Sequence, residues 1–429
     1  MPGRGFGPLK RRDRCSLVRD GANRGVALVL PWLEQGLDRD LYQLDYRCMQ
    51  AALVDRGYAV RLVDPLDSRS LREVLAAPEF PLILTVRSQA KDWPVPVSGT
   101  AEFQAIRDKT LVTLIGNPPY YDGSTGFHDS VFRRKLAMLM DHDTLDYAHG
   151  VNRSGARLLP YRPAFNDIGL EDEAQWLPTS RRPVPILFVG TCDDPERFRE
   201  AWRALFDRFP QVVRSIEGAA ELLGATCALP VVRALERTTA DLGLDLDLRS
   251  RAGRLALTLL TRFTTSQARR RLLARLAGYP SLIVTAGAVD LQKRHADCVV
   301  AGPMAFAGIL DLMKRTRCLI ALNPNSMTGA ISERVTNAMR RGAVVVNAPN
   351  SAMQRYDGTS VGLLGPSMEG LTDWLDAATA GDPVLDDLGE AAVRVAGAEF
   401  RMDDAIDAIL RHASDPATWD QPQAARVVS

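Results

Sequence analysis

Short apolar runs rich in Val, Ile and Leu recur along this chain, and most are separated by stretches with helical periodicity. In the first half they fall at 25–31, 58–63, 81–86, 110–115 and 157–160. In the second half they fall at 185–190, 281–286, 298–301, 318–322 and 343–347. Runs this short and this apolar suit strands covered on both faces. Parallel neighbours need a crossover between them, and an amphipathic helix supplies one. The alternation therefore leads to parallel sheets flanked by helices. At 429 residues the chain is long enough for two of them, each with its own core.

The expected fold class is thus α/β, with two Rossmann-like domains. Between the strands, 38–55 reads as a helix with Leu41, Leu44, Cys48, Ala52 and Leu53 near one face, and 68–77 as another. The pattern predicts a helix over 129–140 and a short strand near Leu145. Asp193-Asp194-Pro195 is a start signal for a helix over 194–209. Residues 212–278 read as wholly helical, an insertion longer than a crossover requires. Helices at 369–378 and 403–412 close the chain. The division expected is a mobile basic arm (1–20), a first domain (21–168) and a polar linker (169–183). A second domain with the helical insertion (184–414) and a tail (415–429) complete it.

Composition narrows the function. A formal net charge of +1 offers no general attraction to a polyanion, so no nucleic-acid partner is expected. Six cysteines without a CxxC pair indicate neither a zinc site nor a disulfide framework. No apolar run reaches the roughly 18 residues of a membrane span, and no secretory signal follows Met1, so a cytoplasmic protein is expected. Residues 249–275 hold eight arginines and no acidic residue. Arg269-Arg270-Arg271 and Arg275 alternate with leucines, which reads as a basic amphipathic helix. Its simplest role is a solvated face or pairing with acidic segments. Peripheral contact with an anionic membrane or an acidic acceptor is the sharper alternative.

The stretch 323–347 carries the most chemistry. It reads as a polar loop, a short helix from Ser332 to Arg341, and a buried strand from Ala343. Ser332 is a plausible N-cap and Gly342 a C-terminal stop. Val335, Ala338 and Met339 form an inward stripe, while Arg334, Asn337 and Arg341 lie on another side. A helix opening at a polar loop directs unpaired N–H groups at an anion, and an arginine in its first turn adds a positive fork. Asn323, Asn325, Ser332, Glu333, Arg334 and Asn337 are therefore candidate nucleotide-binding residues. Gly190-Thr191 and Gly302 follow strands and are candidates for close approach of a ligand to the backbone.

Arg334-Val335-x-Asn337-Ala338-Met339-x-x-Gly342-Ala343 resembles the donor-site helix of GT-B glycosyltransferases, in particular the spore-maturation (CgeB-like) branch. Phe188-Val189-Gly190-Thr191-Cys192-Asp193-Asp194-Pro195 is similar to the start of the C-terminal domain in that branch. Gly116-Asn117-Pro118-Pro119-Tyr120-Tyr121, Asp141-His142-Asp143 and Leu159-Pro160-Tyr161 also fit its pattern. The resemblance implies two Rossmann-like domains facing across a cleft (GT-B), a tail over 415–429 that crosses back to the first domain, and a nucleotide sugar held on the second domain, with Arg334 and the position of Asn337 beside it. Many relatives carry Glu where Asn337 stands. It also implies no metal or other cofactor, because basic side chains and helix N-termini neutralise the leaving diphosphate.

An inverting transfer needs a general base for the acceptor hydroxyl. The candidates are Asp122, His128, Asp141 and His142, with Asp122 and His128 preferred because they follow the fourth strand. Tyr120 and Tyr121 are expected on the acceptor side, and the acceptor to be a glycan or protein. Asp38 and Asp40 read as a helix cap rather than a metal pair. A nucleotide-sugar epimerase, or a non-catalytic partner that binds glycan or supports assembly, are the competing readings.

Overall fold

The computed structural model describes residues 25–31, 37–86, 93, 98–121, 131–152, 155–171, 176–226, 229–287, 295–322, 325–415 and 419. The basic arm 1–20 and nearly all of the tail past 415 lie outside these. One parallel sheet holds β1 (Gly25–Val29), β2 (Ala59–Val63), β3 (Leu82–Val86), β4 (Thr110–Ile115), β5 (Arg134–Leu139) and β6 (Arg157–Pro160). Their order is β2-β1-β3-β4-β5-β6. Helices α1 (Leu37–Val54), α2 (Ser68–Ala76), α3 (Ala101–Arg107) and α4 (Leu145–Val151) lie between its strands. The other parallel sheet holds β7 (Val184–Val189), β8 (Ser281–Val284), β9 (Val299–Ala301), β10 (Thr316–Ala321), β11 (Val344–Asn347) and β12 (Val361–Leu363). Its order is β12-β11-β10-β7-β8-β9. Two parallel α/β units are therefore present, as the alternation predicted.

Between β7 and β8 run α5 (Pro195–Leu205), α6 (Pro210–Ala225), α7 (Val231–Asp241) and α8 (Arg251–Leu276). Asp194 caps α5 through the Glu196 N–H with Pro195 in the first turn, and Ser250 caps α8 through the Gly253 N–H. After these come α9 (Phe306–Lys314), α10 (Glu333–Arg340), α11 (Leu371–Ala380), α12 (Val384–Glu399) and α13 (Met402–Ser414).

Residues 134–139 form a strand where the pattern predicted a helix. Leu136, Ala137, Met138 and Leu139 are all buried, on both faces of the sheet. A central parallel strand is apolar throughout and has no period to tell it from a buried helix. Conversely, the segment at Leu145 is helical, not a strand.

Packing departs from two independent lobes. α5 to α8 share one core with Ile115, Ala137, Leu139 and Leu158 of the first sheet, so these helices cover a face of that sheet. Met402, Ile406 and Ile409 of α13 join Val26, Leu28 and Tyr46 in the layer beneath the other face. Arg56 clamps α13 by pairing with Asp403 at 2.8 Å and Asp407 at 2.6 Å. The return to the first unit is thus made by α13, before residue 415, because its apolar stripe completes the layer beside α1. Phe165 already packs in the core of the second unit, ahead of the expected linker.

In 249–275, Leu257, Leu260, Phe263, Leu272, Leu273 and Leu276 of α8 are buried in the protein core, so the apolar side of this helix is taken up by packing within the protein. Among the described residues no helix is long and apolar enough to cross a membrane.

Candidate functional site

In the second sheet the strands succeed one another outward from β7 to β9 in one direction and from β10 to β12 in the other. The winding reverses between β7 and β10, and in open α/β sheets a crevice forms at the carboxyl ends of such a pair. β7 ends at Val189 and is followed by Gly190 and Thr191. Arg334, in the first turn of α10, donates from Nη1 to the Val189 carbonyl at 2.6 Å. Arg269 of α8 donates from Nη1 to the Thr191 carbonyl at 2.6 Å. A Cβ placed on Gly190 would lie 3.5 Å from the Arg269 Cζ and 3.5 Å from the Arg334 Nη1, so both guanidiniums flank one point.

Neither guanidinium has a carboxylate within ion-pair distance among the described residues. Burial, then repulsion by Arg334, lowers the Arg269 pKa to about 10. Burial also lowers that of Arg334, against the opposing charge of Glu333. The Arg269 Nε is buried with no partner. Two half-buried cations side by side repel each other and favour an anion that joins them. The arrangement suits a phosphate or diphosphate.

Arg269 was read from sequence only as part of a basic face. Its signal was its register: positions 269, 272, 273 and 276 follow the i, i+3, i+4, i+7 pattern, and the other three are buried leucines. An arginine in the apolar stripe of a helix points inward.

The carboxyl ends of the first sheet face this crevice. Tyr120, after β4, is 1 % exposed, its hydroxyl 3.1 Å from the Thr261 Oγ1 of α8. It is core packing and not an acceptor-side residue, because α8 occupies the space it was expected to face. Tyr121 is half-buried, with the Arg262 guanidinium 5.9 Å from its ring centre and its hydroxyl pushed up to about 12, chiefly by burial. Asp141 ends the next strand. Its Oδ1 accepts from the Asp143 N–H at 2.9 Å and the Gly329 N–H at 3.2 Å, across to the loop after β10. Its Oδ2 is buried without a partner, and burial raises the carboxyl pKa to about 7. Thr328 reinforces the contact by donating to the Asp143 Oδ2 at 2.7 Å. Met140, Met327 and Ala330 form a small apolar cluster between the same two loops.

Several other candidates serve the frame. Asn337 is fully buried. Its Oδ1 accepts from the Asn166 N–H at 2.8 Å and from Arg341 at 3.0 Å, and its Nδ2 donates to the Glu333 carbonyl. Arg341 donates onward to the carbonyls of Asn166 and Ile168. These two side chains lock the segment joining the two units and leave Asn337 no free group for a ribose. Asn325 donates to the Thr226 carbonyl at 3.3 Å and so pins the start of the α6–α7 connection. Gly302 follows the edge strand β9, two strands from the crevice. Ser332 begins α10, but its hydroxyl makes no capping bond. Glu333 turns its charge toward Asp45 of α1, whose buried carboxyl rises to about 7. Asp122, His128 and Asn323 lie outside the described residues.

Arg341→Ala is expected to destabilise the fold by about 3 kcal/mol, because two carbonyls and the Asn337 Oδ1 lose a charged donor inside the protein. Chemical denaturation measures this. Wild-type stability in that variant would contradict the locking role.

No protein-family profile matches the sequence, and no curated protein matches it. Solved structures of similar arrangement include an alpha-glucosyltransferase in complex with UDP-glucose and DNA containing an abasic site. It is 9% identical over 92% of this chain and 100% of that chain, with a TM-score of 0.49. T4 phage BGT in complex with its UDP-glucose substrate is 8% identical over 91% of this chain and 99% of that one, at a TM-score of 0.48. Sucrose-phosphate synthase from Thermosynechococcus elongatus is 11% identical over 90% and 98%, at 0.44. At these values no activity and no residue role is carried over from them.

Proposed function

We propose that the chain is a GT-B glycosyltransferase that moves a sugar from a nucleotide-sugar donor to a glycan or protein acceptor. The observation that carries this reading is the pair Arg269 and Arg334, two half-buried guanidiniums that flank Gly190 at the reversal point of a parallel sheet, with no carboxylate in ion-pair distance among the described residues. In this reading the donor diphosphate lies between them, beside Gly190. The motif resemblance to the spore-maturation branch is consistent with that placement.

The chemistry follows from the charges. As the bond from the anomeric carbon to the diphosphate oxygen breaks, its electron pair goes to that oxygen, and the two guanidiniums stabilise the growing charge without a metal. The acceptor hydroxyl attacks the same carbon and gives up its proton. Among the described residues the candidate base is Asp141, which follows β5 and meets the loop after β10 through the Gly329 N–H, with its carboxyl raised to about 7 by burial; Asp122 and His128 remain the alternatives. A net charge of +1 does not report on a local basic cluster, so duplex DNA belongs in the acceptor screen beside glycans and proteins.

A thermal-shift panel of nucleotide sugars tests the donor site. A ligand at a hundred times its Kd stabilises the fold by about 2.7 kcal/mol. One donor is expected to do so for the wild type and not for Arg334→Ala. A flat response across the panel favours a non-catalytic glycan-binding or assembly role, and a donor shift retained in Arg334→Ala moves the diphosphate elsewhere.

A further inference from the structure

A second cavity lies away from the crevice, between α5, α6 and α8. It has a volume of about 390 Å3, within the range of small-ligand sites. Trp202 lines it. The indole ring is fully buried against Phe263, with ring centres 5.0 Å apart, yet its N–H has no acceptor. A buried donor without a partner is uncommon in a native fold and calls for an explanation.

The rest of the lining is polar but electrically balanced. Arg199 is paired with Glu196 at 2.7 Å, and Arg203 with Glu217 at 2.8 Å. Arg271 donates to the Gly224 carbonyl at 2.8 Å, while Glu221 has no partner among the described residues. Gln267 completes the wall. Donors and acceptors are therefore mixed, with no surplus charge to select an anion. A hydroxyl both donates and accepts, so a ring bearing several of them matches such a lining.

We propose that this cavity binds a neutral polyhydroxylated ligand of monosaccharide size, either a free sugar or the terminal unit of a glycan. A ligand oxygen would accept from the Trp202 N–H as the flexible Gln267 and Arg271 side chains move aside, and Glu221 would accept from a ligand hydroxyl. Gln267 and Arg271 stand one turn apart on α8. Arg269 projects about 200° around the helix from Gln267. One helix thus separates this cavity from the diphosphate grip, and a glycan anchored here would be a ligand distinct from the donor.

The test is saturation-transfer NMR on the full chain with free glucose, galactose, mannose and N-acetylglucosamine, plus inorganic phosphate as the anionic probe. A maltose arm distinguishes a glycan terminus from a free sugar. At least one sugar is expected to bind, and Trp202→Phe, which keeps a ring but removes the N–H, should weaken it about tenfold, the scale of one lost hydrogen bond. Gln267→Ala should weaken it similarly and serves if the Trp202 variant folds poorly. Arg334→Ala should leave it unchanged. No sugar binding, binding of phosphate alone, or a sugar signal lost in Arg334→Ala and kept in both cavity variants would overturn the proposal. The nucleotide-sugar thermal shift, run on the same variants, reports separately on the transfer site.

Discussion

Arg334→Ala and Arg269→Ala are each expected to weaken binding of the nucleotide-sugar donor by roughly tenfold to a hundredfold, the range for losing a charge-assisted hydrogen bond to phosphate. Arg334→Lys should recover only part of the loss, since an ammonium lacks the planar fork that grips two oxygens. The unliganded protein should behave differently. Removing Arg334 takes away the neighbouring charge that helps hold the Arg269 guanidinium down to about 10. The remaining arginine should then return toward its ordinary range. Calorimetric titration with the donor gives the affinities. Unchanged affinity in both alanine variants would remove the diphosphate from this crevice.

Asp141→Asn should abolish most transfer and yet stabilise the protein at about pH 8. Its carboxyl rises from 3.8 to about 7 because burial disfavours the charged form. A carboxyl with a raised folded value stabilises the fold through its bound proton. That contribution is fully present below the unfolded value and is lost as pH rises through about 7. The buried Asp45 titrates in the same sense, driven first by burial and then by Glu333. The wild type should therefore lose this contribution as pH rises from about 4 to about 7 and level off above that, by an amount of order 1.4 kcal/mol per pH unit at most for each group. Asparagine keeps an acceptor for the Gly329 and Asp143 amides, carries no charge, and should flatten part of that slope. As a base, the carboxylate is worth roughly a hundredfold to ten-thousandfold in rate. Denaturant titrations at the two pH values and a transfer assay check both halves. A slope between about pH 4 and about pH 7 that is the same in the wild type and in Asp141→Asn, or full transfer by Asp141→Asn, would contradict the role.

The architecture was legible because it rests on local pattern. Alternating apolar runs and amphipathic stretches identify parallel sheets from any short window, and ten of the twelve strands were placed that way. β5 was missed because a strand buried on both faces has no period. β12, Val361–Leu363, was missed because a glycine at its centre breaks the apolar run. The first turn of α10, with its inward stripe of Val335, Ala338 and Met339, was also visible, since caps and i, i+3, i+4 spacing are local.

By itself, then, the sequence determined two parallel α/β units and an arginine at the mouth of the second. The tertiary structure decided which polar groups are free to meet a ligand. Asn337 and Arg334 are three residues apart on one helix, and their fates differ because of distant chain. Asn337 meets the Asn166 amide, 171 positions away, while Arg334 meets the end of β7, 145 positions away. Tyr120 is buried by a helix that follows it by more than a hundred positions. Periodicity reports the face a residue takes on its own element. What stands opposite that face is set by long-range packing, and that is where hydrogen-bond partners, burial and charge are assigned.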